Sequence, residues 1–200
     1  MRSLSLSASS SLVLLLLLSV VMGACGGRQS VDERGASWSD RAYRPERLRY
    51  GTLDLSLLEE ESDDVNGDGV PDVFRYRRAG VLVAERHDLN FDGRVDMTSY
   101  FDGSGQLVEQ EFQLDYDDIV DVVRVYEGGA LVEKHVSMEF DGTFSLTKYY
   151  SASGDLLRIE RDSDQDGRAD VWEYYDGDAL VRVGRDLDDD GVPEVLTDIN

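Results

Sequence analysis

The nine-residue pattern D-x-[ND]-x-D-G-x-x-[DE] occurs four times in this chain, starting at Asp64, Asp88, Asp162 and Asp186. Two worn copies fill the gap, one starting at Gln113 (Gln113-Leu-Asp115-Tyr-Asp117) and one at Ser137 (Ser137-Met-Glu139-Phe-Asp141-Gly142). The six starts fall at 64, 88, 113, 137, 162 and 186, in steps that alternate 24 and 25 residues. Such a count marks an array of equal units, and each unit can be no more than one small supersecondary piece that buries its apolar side against its neighbours.

The unit is most legible from Asp170 to Asp186. An aromatic and β-branched run follows the loop, then a Gly-containing turn, then a second run that opens on two apolar residues. The turns are Ala79-Gly80, Asp102-Gly103-Ser104-Gly105, Glu127-Gly128-Gly129, Ser153-Gly154 and Asp176-Gly177, and the apolar pairs run from Leu82-Val83 to Leu180-Val181. This anatomy predicts two strands per unit, with a hairpin turn at one end and the acidic loop at the other. Alternation agrees, since Phe74 and Tyr76 face one way and Arg75 and Arg77 the other, as Trp172 and Tyr174 oppose Glu173. The expected fold is therefore all-β, an antiparallel meander of about five to six β-hairpin repeats of 24–25 residues joined by calcium loops, with ten to twelve strands of roughly 6 to 9 residues. An open sheet, a sandwich and a closed barrel are all compatible with it. An extra residue in the second and fourth turns makes a superrepeat of 49 residues, the size of a propeller blade, and a propeller is a minor alternative.

Calcium is the cation that the loops fit, because it takes six to eight oxygen ligands in a flexible shell. The first loop offers the side chains of Asp64, Asn66, Asp68 and Asp72 and the carbonyl of Val70. The second offers Asp88, Asn90, Asp92, Asp96 and the Arg94 carbonyl. The fifth offers Asp162, Asp164, Asp166, Asp170 and the Arg168 carbonyl, and the sixth Asp186, Asp188, Asp190, Glu194 and the Val192 carbonyl. Loop 3 lacks an acid at its first position and has Asp118 in the glycine place, while loop 4 has Ser137 and Ser145 at its first and last positions, so neither is expected to bind well. The competing reading is that these are Asx and Gly turns between strands. A turn needs two or three such residues, not five ligands at fixed offsets four times over.

An EF-hand begins in the same way but needs a bidentate Glu at position 12 and flanking helices. Here position 12 is Arg75, Ser99, Glu173 and Thr197. With an acid at position 9 and strands outside, as in Asp64-Val-Asn-Gly-Asp-Gly-Val-Pro-Asp-Val-Phe74, the loops resemble those of FG-GAP (integrin-type) repeats and, more loosely, thrombospondin type 3 repeats. That resemblance implies Ca²⁺ as the cofactor.

Residues 1–24 read as a signal peptide, with Arg2 and a Ser-rich stretch before an apolar run from Leu12 to Met22 that is too short to span a bilayer. Met22-Gly23-Ala24-Cys25 resembles a bacterial lipobox, and Cys25 is the sole cysteine. The resemblance implies cleavage before Cys25, its lipidation, and a place in the cell envelope; Gly26 after it resembles the outer-membrane sorting pattern. Residues 25–50 then form a polar tether and 51–200 the repeat domain. Loss of the one Arg from the 20 basic residues, with all 42 acids kept, takes the net charge from −22 to −23. Nucleic acid is accordingly not expected as a partner. The membrane, through the anchor, and a protein or glycan docked on the tyrosine-rich strands are.

No catalytic constellation stands out. His87 and His135 occupy different columns of the repeat, and Ser104 lies in a hairpin turn outside any G-x-S-x-G elbow. The expected function is a lipid-anchored, calcium-binding β-repeat module of a bacterial envelope, not an enzyme. Two alternatives are a calcium-stabilised surface hydrolase and a scaffold of repeats resembling YD or MORN units, the latter on hairpins such as Tyr149-Tyr-Ser-Ala-Ser-Gly-Asp-Leu156.

Overall fold

A computed structural model describes residues 53–199. The expected signal peptide, Cys25 and the tether lie outside the described residues. After one 3-10 turn at Leu55–Leu57 come twelve strands: β1 (Glu59–Asp63), β2 (Val73–Arg78), β3 (Val81–His87), β4 (Met97–Phe101), β5 (Leu107–Phe112), β6 (Val122–Glu127), β7 (Ala130–Ser137), β8 (Phe144–Tyr150), β9 (Leu156–Arg161), β10 (Val171–Asp176), β11 (Ala179–Arg185) and β12 (Val195–Asp198). They form one antiparallel sheet in strict chain order, β1 to β12. The expected meander is thus present, as an open sheet with β1 and β12 at its edges, and its strands of 4 to 8 residues are somewhat shorter than expected.

All six acidic loops lie at one end of the sheet and all five hairpin turns at the other, because loop and turn alternate along a meander. Between the aligned pairs Arg77 and Leu82 there are four residues, whereas between Phe101 and Leu107 there are five. The same pair of lengths recurs at Tyr126/Leu131 and Tyr150/Leu156, so the 24/25 alternation does reside in the turns. Ala79-Gly80 and Gly128-Gly129 have positive φ at both central positions, the conformation whose twist matches that of the strands it joins.

Every hairpin carries a bulge at the same place, which the sequence analysis did not foresee. Val83, Val108, Val132, Leu157 and Val181 are passed over by the register, between pairs such as Tyr76↔Ala84 and Arg77↔Leu82. The two apolar residues after each turn are therefore one paired residue and one bulged one. A bulge adds local right-handed twist, and five in register distribute that twist evenly.

The register places two faces. One, called inner because most of the buried side chains lie on it, carries the row Tyr76, Ala84, Tyr100, Glu109 and, further along, Tyr149, Arg158 and Tyr174. At the N-terminal end, Leu53, Leu55, Leu58 and Phe74 pack against Tyr76, Ala84 and Tyr100. Further on the inner face is polar. Tyr100 donates to Glu111 (3.1 Å) and, 49 residues later, Tyr149 donates to Glu160 (2.9 Å). Arg158 lies over the Tyr149 ring at 4.3 Å and pairs with Glu160 at 2.8 Å. Burial raises the carboxyl pKa of both Glu111 and Glu160 above the ordinary range. The 49-residue superrepeat read from the turns is thus also a repeat of buried tyrosine–carboxylate pairs.

Candidate metal-binding loops

Each loop is a nine-residue path between two strands, and its polar residues first hold the backbone. The carboxylate at position 1 accepts from the N–H at position 6, as from Gly69 to Asp64 (2.8 Å), Gly93 to Asp88 (2.7 Å), Gly167 to Asp162 (2.9 Å) and Gly191 to Asp186 (2.6 Å). Position 5 accepts from position 7 in all six loops: Val70, Arg94, Ile119, Thr143, Arg168 and Val192 donate to Asp68, Asp92, Asp117, Asp141, Asp166 and Asp190 at 2.8–2.9 Å. Position 9 reaches back to the N–H at position 2, from Val65 to Asp72 (2.7 Å), Leu89 to Asp96 (2.7 Å), Leu114 to Asp121 (2.5 Å), Ser163 to Asp170, and Leu187 to Glu194 (2.6 Å). Asn66 and Asn90 at position 3 accept from the N–H of Asp68 and Asp92.

The backbone is the same throughout. Positions 4 and 6 have positive φ in all six loops, from Gly67 and Gly69 in the first to Asp189 and Gly191 in the last. Asp118 holds the glycine place of loop 3 at φ 72, and Ser137 stands in for the missing acid of loop 4 by accepting from Asp141 and Gly142 through Oγ (3.2 Å each). Asx-turn chemistry therefore accounts for the loop shape.

It does not account for the number of acids. Asp186, Asp188, Asp190 and Glu194 bring one carboxylate oxygen each within 4.8 Å of the others, and so do Asp162, Asp164 and Asp166. A further group joins Asp164 and Asp170 to Asp189 of the next loop. The acids of loops 1 and 2, where Asn holds position 3, are not among these groups. Buried Asp96, Asp121 and Asp162 each retain an Oδ1 without a hydrogen-bond partner. A desolvated, unpaired carboxylate oxygen is costly unless a cation meets it. The Asp162 carboxyl is raised above the ordinary range, first by burial and then by the charges of Asp166 and Asp170. For Asp186 burial acts upward as well, but the N–H groups of Gly191, Asp189 and Asp188 outweigh it and hold the carboxyl low.

Neighbouring loops are linked, which the sequence analysis missed. The position-9 carbonyl of each loop accepts from the position-1 N–H of the next: Asp88 to Asp72 (2.8 Å), Gln113 to Asp96 (2.8 Å), Ser137 to Asp121 (2.7 Å), Asp162 to Ser145 (3.0 Å) and Asp186 to Asp170 (2.9 Å). Arg94 and Arg168, expected to serve through their carbonyls, also send guanidinium groups to the position-4 carbonyls of the following loops, at Tyr116 (3.2 Å) and Asp189. The signal for this was present, an Arg at position 7 in two intact loops.

No protein-family model and no curated protein matches the chain. Solved structures share a limited likeness, three of them as follows. The accessory secretory proteins 1, 2 and 3 of Streptococcus pneumoniae align at 15% identity and a TM-score of 0.42 over 61% of this chain and 22% of that one. The glycosylation-associated Gap123 complex of Streptococcus agalactiae aligns at 12% identity and a TM-score of 0.32, over 79% and 23% of the two chains. A GtfA/B complex bound to UDP and GlcNAc aligns at 15% identity and a TM-score of 0.28, over 80% and 32%. The chain spans less than a third of the length of each.

The two histidines are accounted for within the sheet. His87 lies 2.7 Å from Glu85, and His135 contacts Thr147 (3.1 Å) and Glu133 (3.3 Å). No helix among the described residues is long and apolar enough to cross a membrane.

Proposed function

We propose that the chain is a calcium-binding β-repeat module held at a bacterial cell envelope by a lipid on Cys25, with a structural or binding role. Ca²⁺ would be held by Asp64, Asn66, Asp68 and Asp72; Asp88, Asn90, Asp92 and Asp96; Asp162, Asp164, Asp166 and Asp170; and Asp186, Asp188, Asp190 and Glu194, with the carbonyls of Val70, Arg94, Arg168 and Val192 completing the shells. The observation that carries this reading is at Asp162, which combines a buried oxygen without a partner and membership of a three-carboxylate group. Because the loops share one end of the sheet and are chained through their backbones, occupancy would stiffen that whole end. The envelope location rests on the lipobox-like Met22-Gly23-Ala24-Cys25.

The test is a calorimetric titration of the full chain with Ca²⁺, with melting followed in calcium and in chelator. About four sites with dissociation constants of roughly 10⁻⁴ to 10⁻³ M are expected. At 100 times the dissociation constant each site adds about 2.7 kcal/mol, so melting should rise steeply with calcium. An absence of binding at millimolar Ca²⁺ would reduce the loops to turns.

A further inference from the structure

On the outer face, three cations stand side by side in the middle of the sheet. The register pairs Arg124 of β6 with Lys134 of β7, and Lys134 with Lys148 of β8. Adjacent strands are about 4.8 Å apart, so the row spans about 10 Å. Like charges directly opposite one another destabilise a sheet, and this chain carries a net charge of −22 with 42 acids to spare as partners. Among the described residues, none is placed here. The row continues into Gln110 on β5 and Ile159 on β9; the next row toward the loops is Val122, Val136 and Leu146, and the next toward the turns holds Tyr126 and Tyr150. Elsewhere on the same face Arg75 pairs with Asp63 and with Glu85 (2.9 Å), and Arg161 with Glu173 (3.4 Å).

We propose that this outer patch over β6, β7 and β8 binds a sugar bearing one anionic group, a carboxylate or a phosphate, with Arg124, Lys134 and Lys148 taking the charge and Tyr126 and Tyr150 flanking the ring. The cations are partly sheltered, which strengthens a charge-assisted contact. Lys134 is held below the usual lysine range by burial and by the neighbouring charges of Arg124 and Lys148, a cost that a bound anion relieves. Arg124 lies over the Phe112 ring at 4.5 Å, and the Tyr126 hydroxyl donates to the Gln110 side chain at 2.7 Å, so both are held in place. Tyrosine offers the C–H face of a sugar an apolar surface with a polar edge beside it. A long polyanion does not suit the patch, since beyond its three cations it would meet the field of a strongly acidic protein.

Calorimetric titration of the full chain in saturating calcium tests this with four probes: a glucuronate-containing tetrasaccharide, glucose 6-phosphate, a neutral glucose tetrasaccharide and inorganic phosphate. At least one charged sugar should bind about tenfold or more tighter than the neutral sugar, the scale of one charge-assisted hydrogen bond, and tighter than inorganic phosphate. The tighter of the two charged sugars identifies the anionic group. Lys134→Gln and Lys148→Gln should each weaken that binding at least fivefold while melting stays level or rises, because each removes like-charge repulsion. Failure of both charged sugars to bind, equal binding of the neutral sugar, or equal binding of inorganic phosphate would each overturn the proposal. So would unchanged affinity in both folded variants.

Discussion

Loop 4 and loop 6 have the same backbone and very different side chains. Both place positions 4 and 6 at positive φ (Phe140 and Gly142; Asp189 and Gly191), and both bond the position-7 N–H to the position-5 carboxylate. Loop 4 does this with Glu139 and Asp141 as its only acids, and a serine hydroxyl replaces the first carboxylate. Loop 6 carries Asp186, Asp188, Asp189, Asp190 and Glu194. Folding this turn therefore needs about two acids. In loop 6 Asp186, Asp190 and Glu194 each accept from backbone N–H groups, but Asp188 adds like-charge repulsion without such a bond, and this surplus is what a divalent cation would explain.

The largest expected effect separates the two loops directly. Asp190→Asn with Asp188→Asn should remove one calcium site from the titration and lower melting in saturating calcium by an amount equivalent to about 2.7 kcal/mol at 100 times the dissociation constant. In chelator the same change should leave melting level or raise it, since two like charges are gone. Asp141→Asn in loop 4 should leave the number of sites unchanged. If both variants lower calcium-dependent melting equally, the surplus acids are not ligands and the contrast between the loops fails.

The sheet itself was readable because its signals are local and repeated. Loop spacing, Gly turns and period-2 alternation such as Phe74-Arg75-Tyr76-Arg77 pointed to a meander of ten to twelve strands, and the sheet has twelve in chain order. The chemistry between units was less readable. Nothing in one repeat announces that Glu111 meets Tyr100, or that Lys134 sits between Arg124 and Lys148, because those neighbours are set by register. The bulges were visible only as an unexplained second apolar residue, as in Leu131-Val132. The spacing of the acids was legible residue by residue; what sequence could not divide was their labour, since the carboxylate of Asp96 both bonds the N–H of Leu89 and keeps an oxygen unpaired.

A middle-sized effect tests whether the shared backbone is as constrained in a worn loop as in an intact one. Gly142 has φ +81, and an added Cβ would lie 2.7 Å from Cγ2 of Ile119 in the preceding loop. Gly142→Ala should therefore cost roughly 1–3 kcal/mol, read as a lower denaturant midpoint with unchanged calcium stoichiometry. Gly93 has a similar φ of +88 but nothing within 4 Å of the added atom, so Gly93→Ala should cost less in chelator. Equal costs would mean that conformation alone decides, and that the packing of one loop on the next is immaterial.

The smallest effect concerns loop 3, which lies between the two kinds. It keeps Asp115, Asp117 and a fully buried Asp121 with an unpaired Oδ1, but Gln113 holds the first position and Asp118 the glycine place. Asp tolerates a left-handed conformation better than most residues, and the exposed Arg94–Asp118 contact at 4.0 Å is worth little. Relief of strain in Asp118→Gly is offset by the greater freedom of glycine in the unfolded chain, so stability should move by no more than about 0.5 kcal/mol and no calcium site should appear. Gln113→Asp added to it supplies the missing carboxylate beside the unpaired Asp121 oxygen, and one further site should then enter the titration. A new site from Asp118→Gly alone would show that the glycine, not the first acid, divides binding loops from turns.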